Sequence, residues 1–214
     1  MEPTVKLLRL TDSTGPTASK VYFNMFRIQQ LAKELLGTMV DYFGDCEEGR
    51  ELAEDEIAEM VRLICYRWDY GYTDIQGVGY LLDPEFWDME ANKNEEVMDS
   101  FHEILVKTFR LPEGLVLRDG VEDSITLSAD DFEYEDNDEN DIKLAKEAVR
   151  QRADASRQLT EYYNHSGNFA IPFVQQHART MSACSWWDAY GYKVPELQLV
   201  AMRVLGQVRK YIIA

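Results

Sequence analysis

The sequence predicts a mainly α-helical protein with an acidic loop and at most a short hairpin. Three observations predict it. Apolar residues recur at helical spacing in segment after segment, no run alternates apolar with polar residues as a half-buried strand does, and the acidic residues crowd into one stretch between helical segments.

Taken in order, Pro3 suits a helix start before Val5, Leu7, Leu8 and Leu10, and residues 11–16, Thr-Asp-Ser-Thr-Gly-Pro, read as a turn. A long helix is expected over about 17–43, where Val21, Met25, Ile28, Ala32, Leu35 and Met39 are spaced 4, 3, 4, 3, 4 and form a seam for another helix. Residues 44–50 break the pattern. It returns over 51–66 with an apolar face at Ile57, Val61, Ile64, Cys65 and Trp68. Gly71 then frees the backbone, and a second apolar segment, 75–82, stops at Asp83-Pro84. Gly77 and Gly79 predict close approach of something bulky, and Tyr66, Trp68, Tyr70, Tyr72, Tyr80, Phe86 and Trp87 supply rings to pack such a corner.

An amphipathic helix over 94–110 carries Val97, Phe101, Ile104, Leu105 and Phe109, and Pro112 and Gly114 end it. Residues 119–141 hold eleven Asp or Glu and no Lys or Arg, and offer only Val121, Ile125, Leu127, Phe132 and Tyr134 for burial. They read as a surface loop or disordered insert, with any hairpin lying around 115–127. Helix resumes over 142–163 with Ala145, Val149, Leu159 and Tyr163 on one side. The neighbouring Lys143, Lys146, Arg150, Arg152 and Arg157 are expected to neutralise the acidic stretch rather than bind nucleic acid. Residues 164–168, with His165 and Gly167, form a turn, a shorter helix spans 171–179, and the last runs from about Pro195 through Leu205. Composition breaks suggest three regions, 1–118, 119–141 and 142–214.

With 214 residues and 45% hydrophobic content the chain is long enough for one sizeable core, or for a core with an appendage. The first residues lack a signal-peptide pattern and no apolar run approaches a membrane span, so a nuclear or cytoplasmic protein is expected, neither secreted nor membrane-bound. Cys46, Cys65 and Cys184 are odd in number and scattered, as free thiols in a reducing compartment would be. The net charge of -17 makes a poor partner for phosphate backbones, and the acidic stretch accounts for all but six of those charges.

Asp136, Asp138, Asn140 and Glu147 fall at positions 1, 3, 5 and 12 of a calcium-binding loop. Asp141 stands where that loop needs glycine, Lys143 occupies its apolar position, and no entering helix precedes it, which argues against calcium. His102, His165 and His177 share no short spacing with a cysteine or paired carboxylate, so neither zinc nor nucleophilic catalysis is expected. No phosphate-binding glycine loop or nucleophile elbow occurs. Trp186-Trp187 would serve as a base-stacking platform only if exposed. Adjacent helical residues point about 100° apart, so one ring is expected in the core and the other at an interface.

Arg67-Trp68, followed after a spacer by Gly79-Tyr80-Leu81-Leu82-Asp83-Pro84-Glu85-Phe86, resembles the "RW … AGYFLNPEF" signature of hAT-superfamily transposases, the hobo and Activator class. About a hundred residues on, Trp186-Trp187, Tyr190-Gly191, Pro195, Leu197-Gln198, Ala201 and Arg203-Val204-Leu205 resemble that family's "WW…YG…P.LQ.LA.RVL" segment. The opening, residues 3–12, is similar to its "P.VKVLRLVD" segment, and Thr160-Glu161-Tyr162-Tyr163 with Gly167-Asn168-Phe169 is similar to its "W…Y…G.FG" passage.

The resemblance implies a helical insertion-type array from an RNase-H-like transposase, together with the start of the C-terminal dimerisation region. Arg67, Trp68, Gly79, Tyr80, Leu82, Pro84, Phe86, Trp186, Trp187, Gly191, Pro195, Leu197, Ala201 and Leu205 are its motif positions, with a structural role. Such transposases cut DNA with Mg or Mn held by two aspartates and the glutamate of an "ER.WS" motif. Those carboxylates, and the family's DNA-reading zinc finger, are expected to lie outside this span, so no catalytic, cofactor-binding or metal residue carries over. The expectation is a non-enzymatic fragment acting in association with its own copies or related transposase-like chains. The alternatives are a DNA transposase or nuclease that needs the missing segments, or a nucleic-acid-binding module.

Overall fold

The structure, a computed structural model, describes residues 18–43, 73–118, 131–133 and 139–206, together with Asp55, Ala58, Glu59, Arg62, Leu63 and Tyr66. These residues are mainly helical. By contacts the chain divides into two compact units, Met1–Tyr80 with Gln207–Ala214, and Leu81–Gly206.

In the first unit α1 spans Ala18–Phe43 and α2 begins at Asp74, running to Leu82. The predicted seam of α1 buries Val21 and Ala32 and half-buries Met25 and Ile28, while the side chains of Leu35 and Met39 lie outside the described set. Tyr22 of α1 stacks on Tyr80 of α2 at 4.8 Å. Gly79 was expected to admit a bulky neighbour. Instead it faces backbone: a Cβ there would lie 3.3 Å from the Ser19 nitrogen and 3.6 Å from the Ala18 Cβ. The glycine thus brings two helix backbones together, which a side chain at this position would hold apart. Of the 51–66 helix, the described positions Asp55, Ala58, Glu59, Arg62, Leu63 and Tyr66 are helical and exposed. Exposed Tyr66 does not pack the predicted aromatic corner, and the apolar face proposed for that helix lies outside the described residues.

The second unit opens at the end of α2. Asp83 accepts from the Glu85 amide and Pro84 follows at the first helical position, so α2 stops and a 3-10 turn, Pro84–Met89, begins. Helix α3, Glu95–Thr108, is capped by Asn94, whose side chain accepts from the Val97 amide. It buries Val97, Phe101, Ile104 and Leu105, the predicted face, and Phe109 just beyond it. Gly114, at φ 85, turns the chain into β1, Val116–Leu117. Its antiparallel partner β2 is Phe132–Glu133. The hairpin's second strand therefore falls beyond the expected 127, inside the acidic stretch.

That stretch is consequently not all surface loop. Phe132 is 1% exposed and packs with Leu115 and Ala145, covered by Leu111, Leu117 and Ile142. One large ring anchors an otherwise charged segment because its burial outweighs the ordering of two strand residues. The acidic stretch also supplies the first turn of α4, Glu139–Tyr163, where Glu139 and Asp141 favour the positive end of the helix dipole. Asn140 and Glu147 both lie on this helix, a geometry no calcium loop adopts at these positions, and the Glu147 carboxylate is held by Arg150.

Helix α5 spans Pro172–His177, α6 Ala183–Tyr190 and α7 Pro195–Leu205. Helix α7 packs on α4, α6 and α3 and buries Leu197, Val200, Ala201, Val204 and Leu205. Its N-terminus has no cap of its own. Instead buried Gln158 of α4 accepts from the Leu197 amide at 2.9 Å and donates to Glu196.

Candidate functional site

The ends of α2, α4, α5 and α6 converge on a cluster of aromatic rings. Trp186 and Trp187 are both 0% exposed, against the expectation that one would lie at an interface. The 100° between neighbours is absorbed because the cluster surrounds α6 on two sides. Trp186 is near-parallel to Phe169 at 5.7 Å, while Trp187 meets Tyr162 at 5.2 Å and stands edge-on to Trp186. Trp87 completes the group, stacked on Tyr162 at 4.6 Å and on His165 at 4.2 Å.

A buried indole N–H must find an acceptor, and the last turn of a helix holds carbonyls that the helix itself leaves open. All three indoles reach carbonyls in a helix's last turn; that of Leu82 is otherwise open, while those of Tyr162 and Val174 also accept from the His165 and Ala178 amides. Trp187 Nε1 donates to the Leu82 carbonyl of α2 at 2.7 Å, Trp87 Nε1 to the Tyr162 carbonyl of α4 at 2.9 Å, and Trp186 Nε1 to the Val174 carbonyl of α5 at 2.9 Å. The Tyr163 hydroxyl adds a bond to the Leu81 carbonyl at 2.8 Å. Gln198 and Asn168 donate to the Trp187 and Tyr190 carbonyls of α6. The Tyr162 hydroxyl alone among the described buried side-chain atoms lacks a partner. Burial, reinforced by Tyr163, Asp83 and Asp88, raises its ionisation well above the ordinary tyrosine value.

Beside the cluster lies an open pocket of about 480 Å³, lined by Pro84, Trp87, Asp88, His165, Gln175, Gln176, Ala178, Arg179 and Thr180. Arg179 and Asp88 pair across it at 2.6 Å. His165 holds φ at 49, a left-handed backbone that a residue with a Cβ seldom adopts. It does so because α4 ends in a Schellman turn: the Ser166 amide donates to the Glu161 carbonyl and the His165 amide to the Tyr162 carbonyl.

The motif positions divide plainly. Leu82, Pro84, Phe86, Trp186, Trp187, Gly191, Leu197, Ala201 and Leu205 are buried in the second unit, Pro195 starts α7 at the surface, and Gly79 and Tyr80 are buried in the first. Arg67 and Trp68 lie outside the described residues. Gly191 is needed for space, since a Cβ there would sit 2.9 Å from the Trp187 ring and 2.8 Å from Gln198. Sequence reasoning missed Tyr162 as the hub, naming Tyr163 for that face, and missed Gln158, whose polar side chain gives no hint of burial. Among the described residues no three His, Cys, Asp or Glu side chains group as a metal site would require, and no helix is long and apolar enough to cross a membrane.

No protein-family model, no curated protein and no solved structure matches this chain.

Proposed function

We propose that the chain is a hAT-transposase-derived helical fragment whose role is protein association, with a second copy or a related transposase-like chain as partner. The observation that carries this reading is the bond from Trp187 Nε1 to the Leu82 carbonyl, which ties the two motif blocks to each other across 105 residues. Two sequence blocks that travel together in a family are expected to be parts of one packed unit. Their described residues are core, glycine contacts and helix ends, which supports a role in maintaining a shape rather than in chemistry. None of the family's three catalytic carboxylates matches a position of this sequence, and the reading assigns the chain by itself no DNA cleavage and no Mg or Mn cofactor.

Exposed apolar side chains give association something to cover: Phe173, Tyr192, Val116, Leu144 and Val106 in the second unit are each about half exposed or more. The nucleic-acid alternative draws less support from α4. Arg150 is paired with Glu147, Arg157 with Asp154 and Glu161, and Arg152 donates to the Phe109 carbonyl. Sedimentation velocity over a range of concentrations tests the proposal, with reversible self-association expected. A strictly monomeric, cooperatively melting chain overturns it, as does Mg- or Mn-dependent cleavage of DNA by the purified protein.

A further inference from the structure

We propose that the pocket beside the aromatic cluster binds a free α-amino acid with an apolar side chain. The balance of charge on its walls carries the inference. One fixed cation, Arg179, and one fixed anion, Asp88, face each other at 2.6 Å, and both are largely exposed, so parting them costs little. A simple anion would capture Arg179 but leave Asp88 alone beside a second negative group, and a simple cation would do the reverse. A zwitterion gives each a new partner: its carboxylate takes Arg179 and its ammonium takes Asp88. An α-amino acid carries both groups on one carbon, at the separation of a contact pair.

His165 is the second observation. Its left-handed backbone at the end of α4 is the position where helices ordinarily place glycine or asparagine, and strain of this kind gathers at functional sites. The imidazole is also oriented. Gln175 Nε2 donates to the Phe169 carbonyl at 3.0 Å, which fixes the amide, and the same nitrogen lies 3.4 Å from His165 Nδ1. Nδ1 faces that donor and accepts, which leaves Nε2 as the ring nitrogen that can donate, and Nε2 has no partner among the described residues. It is a second donor for the ligand carboxylate. Pro84, Ala178 and Trp87, all buried, supply apolar wall for the ligand side chain, and about 480 Å³ is ample for one.

The test is calorimetric titration of the full chain with L-leucine, 4-methylpentanoate, which lacks the ammonium, and 3-methylbutylamine, which lacks the carboxylate. Leucine is expected to bind in the high micromolar to millimolar range, and each analogue at least about tenfold more weakly. Asp88→Asn should weaken leucine while leaving 4-methylpentanoate unchanged or improved, and Arg179→Gln should weaken both acids. His165→Gly, which suits the backbone, should keep the fold by thermal scan and lose leucine affinity. No heat or amide-resonance shift with saturating leucine, or 4-methylpentanoate binding as tightly as leucine, overturns the proposal. Neither outcome depends on whether the chain self-associates.

Discussion

Trp187 does two things at once: its ring fills the cluster and its N–H satisfies the open carbonyl of Leu82. Replacing it with phenylalanine removes the donor and part of the volume, so Trp187→Phe should lower unfolding free energy in urea by about 2–4 kcal/mol. Gly191→Ala meets the Trp187 ring and Gln198 within 3 Å, and chemical denaturation should register a loss of about 1–3 kcal/mol from overpacking. Tyr162 behaves in the opposite way. Its hydroxyl is buried without a partner, so Tyr162→Phe should leave stability unchanged or raise it by up to about 1 kcal/mol. The same group sets an alkaline limit. Unfolded, Tyr162 releases its proton near pH 10.0, whereas burial keeps it protonated in the fold. The native state then binds the extra proton, so stability that is complete below that pH declines as pH rises past it. Melting temperatures measured upward from neutral pH should show this decline, and it should be shallower in Tyr162→Phe.

At the scale of elements, the helices of the second unit seal one another's ends. Gln158 of α4 caps α7, Arg152 of α4 closes α3 with two bonds to the Phe109 carbonyl at 3.0 and 2.7 Å, and the indoles close α2, α4 and α5. Gln158→Ala leaves the Leu197 amide buried and unbonded, so equilibrium unfolding should report a cost of about 1–3 kcal/mol. Surface replacements such as Arg150→Ala should stay within about 0.5 kcal/mol, because the Glu147 pair is exposed. These two classes separate what the sequence made legible. The buried face of α3 follows from apolar spacing alone. The trans caps do not, because a glutamine or arginine on a helix looks the same whether it meets water or another helix's end.

For the whole molecule, a net charge of -17 opposes contact between copies, while exposed apolar side chains favour it. Added salt screens the first and spares the second, so the proposed association should strengthen between low and moderate ionic strength in sedimentation. The helical class, most helix limits and the buried face of α3 were determined by the sequence itself, since periodicity and capping residues act over a turn or two. The tertiary structure alone decided the burial of both Trp186 and Trp187, the pairing of Phe132 with the strand before the acidic stretch, and the use of Gly79 to admit a backbone rather than a ring. Each of these depends on a partner more than a dozen residues away. Local pattern cannot name such a partner, because which groups meet and which are buried is decided only once the helices have packed.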